Sequence, residues 1–208
     1  MGDSAQTAAI LKRALDYPYA TPERSYLFRD GEARELPSGG PDLDGRTPLL
    51  AYGANAAPAA LARKLAPLPE VELPVLRTEL EGFDVVYSAH VSPYGAVPAT
   101  LHESPGTTAP AFVLHPTPEQ LALLAGSEPN YDLVEVAGIA AFRSKHGCLL
   151  IDGSPVALAA VRAAGRTLPE LDQPAVLERV RAHLEPDASL EAFIRSCIAR
   201  GRTLVSTI

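Results

Sequence analysis

The segment Tyr52-Gly53-Ala54-Asn55 joins a short apolar run, Pro48 to Ala51, to a stretch that opens with small residues. Glycine at such a junction permits turn geometries closed to larger residues. Asparagine there tolerates left-handed backbone or caps the helix that follows. Free amides at a helix start point outward and favour an anion, such as a substrate carboxylate. The same pattern also suits an ordinary strand-to-helix turn with Asn55 as its cap, which is its commoner use. Glu128, in Gly126-Ser127-Glu128-Pro129-Asn130, reads from its neighbours as a loop carboxylate in water. Lys145-His146-Gly147-Cys148 brings a His and a Cys close together, as a Cys–His nucleophile would. Cys148 enters an apolar run, however, which favours a structural Cys beside a surface His. His90, His102 and His115 occur singly, without the short repeat spacing of a zinc site, and read as non-ligands. No phosphate loop and no Gly-x-Gly-x-x-Gly fingerprint occurs, so neither ATP nor a dinucleotide is indicated.

The elements that must position these residues follow from pattern. Pro48 to Gly53 suits a buried strand, and Ala57 to Leu65 a helix with Pro58 in its first turn and Leu61 and Leu65 on one face. Val85 to Tyr87 and Val97 to Leu101 are strand-like, separated by the polar turn Ser92-Pro93-Tyr94-Gly95. Ala111 to Leu114 suits a strand, Thr117 to Leu124 a helix opened by Pro118, and Asp132 to Val136 another strand. Cys148 to Ala160 reads as a hairpin turned at Asp152-Gly153. Ahead of this body, Ser4 to Leu15 has helical spacing behind a Ser cap, and Tyr26 to Leu36 suggests a hairpin turned at Asp30-Gly31. After it, Val176 to Leu184 and Leu190 to Ile198 form two amphipathic helical stripes. The expected organisation is an N-terminal helix-and-hairpin decoration over 1–46, a central body over 47–165 and a helical C-terminal extension over 166–208.

The totals narrow the partners. Nearly half of the 208 residues are hydrophobic, ample for a packed core, and the formal net charge is -7. No clustered Lys and Arg surface is visible, so nucleic acid and anionic membrane are not expected partners. No apolar run approaches the roughly 20 residues that span a bilayer. Met1-Gly2-Asp3-Ser4 lacks the basic start and apolar core of a signal peptide, and Gln6 stands where a myristoylation motif wants Ser or Thr. Cys148 and Cys197 lie far apart without CxxC spacing and read as reduced thiols, consistent with a cytoplasmic protein. The stripe around Val176 to Leu184 either packs on the body or forms a homodimer helix.

Leu49-Leu50-Ala51-Tyr52-Gly53-Ala54-Asn55 resembles the opening signature of the gamma-glutamylcyclotransferase-like superfamily, Tyr-Gly-Ser-Asn after a hydrophobic strand. Further elements follow in the family's order. Gly82-Phe83 with Val85 to Tyr87 is similar to the second strand, and Gly95 to Leu101 to a Gly-x-x-Ala-Thr-Leu strand. Pro110 to Leu114 and Thr117 to Leu124 resemble the next strand and helix, and Glu128, Tyr131 and Val134 the segment after them. The likeness covers about residues 47–160. Ala54 stands where the family has Ser, Ala125 where many members have Asp, and Pro129 where Gly is usual.

The resemblance implies an α+β fold: a small mixed β-barrel with surrounding helices. It also implies an activity. The α-amine of a gamma-glutamyl group attacks its own γ-carbonyl and releases 5-oxoproline and the leaving amine. One carboxylate serves as base and then acid, and no metal or other cofactor takes part. Glu128 would be that carboxylate. Tyr52, Gly53, Ala54 and Asn55 would hold the glutamyl end of a small-molecule gamma-glutamyl substrate, and Tyr131 would orient the site. Ala54 and Ala125 favour the alternative, a non-catalytic module that binds a small carboxylate or a peptide end on the same fold.

Overall fold

Two-residue period in the apolar segments builds a large mixed sheet, and helical period supplies the layers that cover it. The computed structural model describes residues 2–208, with side chains described from Gln6 onward. Helix α1 (Gly2–Leu15) begins ahead of Ser4, so Ser4 lies inside the helix and not at its cap. Strands β1 (Tyr26–Arg29) and β2 (Glu32–Arg34) form the first hairpin. Its two turn residues, Asp30 and Gly31, both have positive φ, +51° and +86°. That conformation matches the strand twist, which is why Asp-Gly is legible as a hairpin turn.

Strand β3 (Leu49–Ala51) leads through a single 3-10 turn, Ala54–Ala56, into α2 (Pro58–Lys64). Two long strands follow, β4 (Glu72–Tyr87) and β6 (Ala99–Leu114), with the short β5 (His90–Val91) between them. β4 and β6 pair antiparallel, and their register shifts between Glu81 and Phe83. There Gly82, at φ +77°, faces the excursion Ser104 to Thr107 of the partner strand. Helix α3 (Pro118–Gly126) starts with a reciprocal capping box between Thr117 and Gln120. Next come β7 (Tyr131–Val136) and β8 (Ile139–Ser144), turned at Ala137-Gly138. Short strands β9 (Leu150–Ile151), β10 (Ser154–Pro155), β11 (Ala157–Leu158) and β12 (Glu170–Leu171) precede α4 (Gln173–Leu184), α5 (Leu190–Arg200) and β13 (Thr203–Leu204).

The main sheet has the order β12-β11-β4-β6-β3-β8-β7, with β1 joined to β4 and β2 to β1. β3 runs antiparallel to β6 and parallel to β8, so the sheet is mixed. Among the described residues the ladders trace an open path from β12 to β7 and do not close. The α+β class therefore stands, with an open mixed sheet and five helices among the described residues.

Alternation along β3 explains its unbroken apolar character. Leu49 and Ala51 point into one core with Leu61, Leu73, Phe112 and Leu124, while Leu50 and Tyr52 point into a second on the other face. The second core takes Val176, Leu177 and Val180 of α4 and Phe193, Ile194 and Cys197 of α5, all fully buried. The amphipathic stripes of the C-terminal helices are thus covered by the chain's own sheet. Asp84, wholly buried on β4, receives a two-armed contact from Arg166 at 2.7 and 2.8 Å. Arg166 also donates to the Val161 carbonyl at 2.7 Å, which ties the loop before β12 to the sheet.

Candidate active site

β3 delivers the Tyr52 to Asn55 turn to the mouth of a cavity of about 440 Å³, and the end of α3 delivers Glu128 to the same cavity. Gly53 is needed there for space. A Cβ on it would lie 3.0 Å from the Tyr17 hydroxyl and 3.2 Å from Ala99 Cβ. Its backbone (φ -135°) lies outside the left-handed region, so close approach and not turn handedness selects the glycine. Among the described residues the amides of Gly53, Ala54 and Asn55 donate to no protein acceptor. They are the spare donors that a tight turn leaves at its start.

Asn55 is not the helix cap. Neither the 3-10 turn nor α2 has a side-chain cap bond. The Asn55 amide reaches across the fold instead: Nδ2 donates to Glu128 Oε1 at 3.0 Å, and Oδ1 accepts from Lys64 Nζ at 2.7 Å. Lys64 closes the triangle with an ion pair to Glu128 Oε1. Both partners are largely withdrawn from water, with side chains 19% and 16% exposed, so Glu128 is not a solvated loop carboxylate. Its Oε2 takes no partner among the described residues.

Backbone bonds hold the acid in place. Ser127 caps α3, the Glu128 N–H donates to Ala125 O at 3.0 Å, and the Tyr131 N–H donates to Glu128 O at 3.1 Å. The following residue pair is clamped from outside: Lys145 donates to Pro129 O at 3.0 Å, and Asn130 Oδ1 accepts from Arg202 at 3.0 Å and lies 3.2 Å from His146 Nε2.

The aromatic wall joins residues of the central body to the segment after α1. Tyr52 donates its hydroxyl to the Phe142 carbonyl, and Tyr131 donates to Ala99 O at 2.8 Å. Tyr17, from the segment after α1, accepts the Ala99 N–H at 2.8 Å and stacks on Tyr94. Burial pushes the Tyr17, Tyr52, Tyr94 and Tyr131 phenols well up, and the Glu128 charge adds to the shift in each, so all four stay protonated. Tyr19 lines the cavity with φ +71°, a rare conformation for a bulky residue, and its hydroxyl is buried without a partner. Arg63 stacks over the Tyr19 ring at 4.6 Å and Arg13 over the Tyr94 ring at 4.8 Å. Neither guanidinium has a carboxylate partner among the described residues. The rim therefore carries positive charge into a protein of net charge -7.

The structure brings together every residue expected at the site: Tyr52, Gly53, Ala54, Asn55, Glu128 and Tyr131 all line this one cavity. Sequence reasoning missed Lys64, which lay unremarked on α2, and Tyr17, Tyr19 and Arg13 of the N-terminal segment. It also missed His90, which is 1% exposed and lines the cavity. Burial, with the neighbouring His146 and Arg202, pushes the His90 imidazole down to about 3, so it is neutral at physiological pH. His146 is half-buried and not a surface residue, and Cys148 faces His102 Nδ1 at 3.8 Å. Burial pushes the Cys148 thiol up, away from nucleophilic use.

Among the described residues no group of three or more His, Cys, Asp or Glu is placed to hold a metal ion. No helix there is long and apolar enough to cross a membrane. Comparison with protein-family models, with curated proteins and with solved structures finds no match to this chain.

Proposed function

We propose that this protein is a gamma-glutamylcyclotransferase-like enzyme that cyclises a small gamma-glutamyl amine or amide to 5-oxoproline, with Glu128 as the general acid/base. One observation carries the reading: the Glu128 carboxylate is hydrogen-bonded to Asn55 of the turn, across 73 residues of chain, inside one cavity. The kinship with that superfamily, and the small barrel that goes with it, belong to the same proposal.

The chemistry needs few groups. The substrate folds so that its α-amine faces its own γ-carbonyl, and the cavity's aromatic wall holds it so. The unpartnered Oε2 of Glu128 takes a proton from the α-ammonium, the nitrogen attacks the carbonyl carbon of the γ-amide, and a tetrahedral centre forms there. The carboxyl then returns the proton to the departing nitrogen as the old C–N bond breaks, and the second proton shed by the ring nitrogen passes through the same carboxylate to the amine. The products are 5-oxoproline and the amine as its ammonium, with no change of oxidation state. The free amides of Gly53 to Asn55, with Arg63 at the rim, suit the α-carboxylate of the glutamyl end.

One observation favours the second reading, a binding module. Lys64 pairs with Glu128, and an ion-paired carboxylate serves as a structural anchor as readily as a base. Glu128→Gln separates the two. It keeps the size of the side chain and removes the proton acceptor. Loss of 5-oxoproline release by a folded Gln variant supports the enzyme; release at the wild-type rate sinks the mechanism, and release by neither protein leaves the binding module.

A further inference from the structure

Behind the aromatic wall lies a polar relay that the cyclisation does not use. His90 sits on β5, pinned by β13 through the Leu204–His90 register. Its Nδ1 lies 2.8 Å from Ser88 Oγ, Ser88 Oγ lies 2.6 Å from Ser144 Oγ, and Ser144 Oγ accepts the His146 N–H at 3.1 Å. Ser88 is fully buried, so its hydroxyl proton must be used within this group.

Internal satisfaction of the hydroxyl protons favours one direction of the relay. Ser144 already accepts from His146, and the only acceptor within reach of its own proton among the described residues is Ser88 Oγ. In the direction that keeps every hydroxyl proton inside the group, Ser144 donates to Ser88, and Ser88 donates to His90 Nδ1. The reverse direction would send the proton of the half-buried Ser144 to solvent. Nδ1 is then the acceptor of the ring, and the proton of the neutral imidazole sits on Nε2. Nε2 has no partner among the described residues, yet it is not one of the sealed and orphaned polar atoms, which are the Tyr19 hydroxyl and Thr203 Oγ1. The remaining exposure of His90 opens on the cavity that holds Glu128.

We propose that His90 is a ligand-binding residue whose Nε2–H donates to an acceptor oxygen, carboxylate or amide carbonyl, of the acid bound in the Glu128 cavity. The ring edge is set by its packing against Tyr131, 6.1 Å between centroids, and His146, 5.0 Å. Such a donor selects for an oxygen and against an ammonium at that point in the cavity, because an ammonium offers only donors. The identity of the ligand as a gamma-glutamyl compound rests on the function proposed above; the tautomer and the donor role do not.

The test uses the full-length protein with ¹⁵N-labelled histidine rings, and His90 assigned by its loss in His90→Gln. Long-range proton–nitrogen spectra of the free protein are expected to give the Nε2–H tautomer for His90. Saturating L-pyroglutamate, or L-glutamate, is expected to shift His90 Nε2 and its proton. His90→Phe is expected to weaken binding of the same acids by about ten- to a hundredfold, the loss of one hydrogen bond to a charged acceptor, while His90→Gln, which keeps an N–H donor, restores most of it. An Nδ1–H tautomer, no shift at His90 with either acid, or unchanged binding by folded His90→Phe overturns the proposal. Acid-induced shifts at His90 without 5-oxoproline release would keep the donor and discard the cyclotransferase.

Discussion

Acid should destabilise this protein through His90, and the amount can be worked out. An unfolded chain leaves the imidazole near its ordinary 6.5, while the folded cavity wall holds it at about 3. Between those values the unfolded state binds a proton that the folded state does not, so stability rises with pH and is lost as pH falls below 6.5. Below about 3 both states are protonated and the loss stops growing. Going from pH 7.5 to pH 5.0, the unfolded-state protonation of one such histidine is worth about 2 kcal/mol, from RT ln(1 + 10^(6.5 − 5.0)). Urea unfolding of wild type and His90→Gln at both pH values and constant ionic strength isolates this contribution. Wild type should lose about 2 kcal/mol more than the variant on acidification. His115 and His146 are also shifted downward by burial, but both are present in the two proteins and largely cancel. A difference under about 0.5 kcal/mol, or a variant more acid-sensitive than wild type, would refute the account of His90 as a buried neutral ring.

Other substitutions probe the frame of the site. Gly53→Ala puts a methyl 3.0 Å from the Tyr17 hydroxyl and 3.2 Å from Ala99 Cβ, and is expected to cost about 1–3 kcal/mol in urea unfolding and to weaken binding of L-pyroglutamate. An alanine variant with unchanged stability would mean that Tyr17 does not pack on the turn. Asp84→Ala strands the Arg166 guanidinium, whose side chain is 7% exposed, and should cost about 3–5 kcal/mol by the same measurement. A loss below about 1 kcal/mol would show that Arg166 finds water or Glu170 instead. Glu128→Gln should leave stability within about 1–3 kcal/mol of wild type, since the amide oxygen can still accept from Asn55, while 5-oxoproline release disappears.

The elements were legible where pattern was local. Asp30-Gly31 and Asp152-Gly153 turn their hairpins because both residues reach positive φ, a preference carried by residue type alone. Ala137-Gly138 makes the same kind of turn, and β8 after it went unread, because alanine carries no such preference. β4 and β6 were visible only at their apolar ends. Their polar middle stretches, such as Arg77 to Glu79, hold strand geometry because the opposite strand supplies the ladder, which is a property of the pair.

The candidate site divides the same way. The resemblance, and not the residue types taken singly, brought Tyr52 to Asn55, Glu128 and Tyr131 into view as one group, and all of them line one cavity. What each side chain does there was decided in three dimensions. Asn55 gave up the cap for Glu128, since α3 ends within hydrogen-bonding reach of it, and Lys64 met both because one helical face of α2 looks at that junction. The N-terminal segment became part of the cavity wall, with Tyr17 bound to Ala99. His90 looked inert as a lone histidine. Burial made it neutral, and its neighbour Ser88, tied to Ser144 from a distant strand, meets its Nδ1. Sequence by itself determined the helices and the apolar ends of the main strands, where period and turn residues act locally. Only the tertiary structure decided charge state, hydrogen-bond direction and who pairs with whom, because those depend on desolvation and on contacts between residues far apart along the chain.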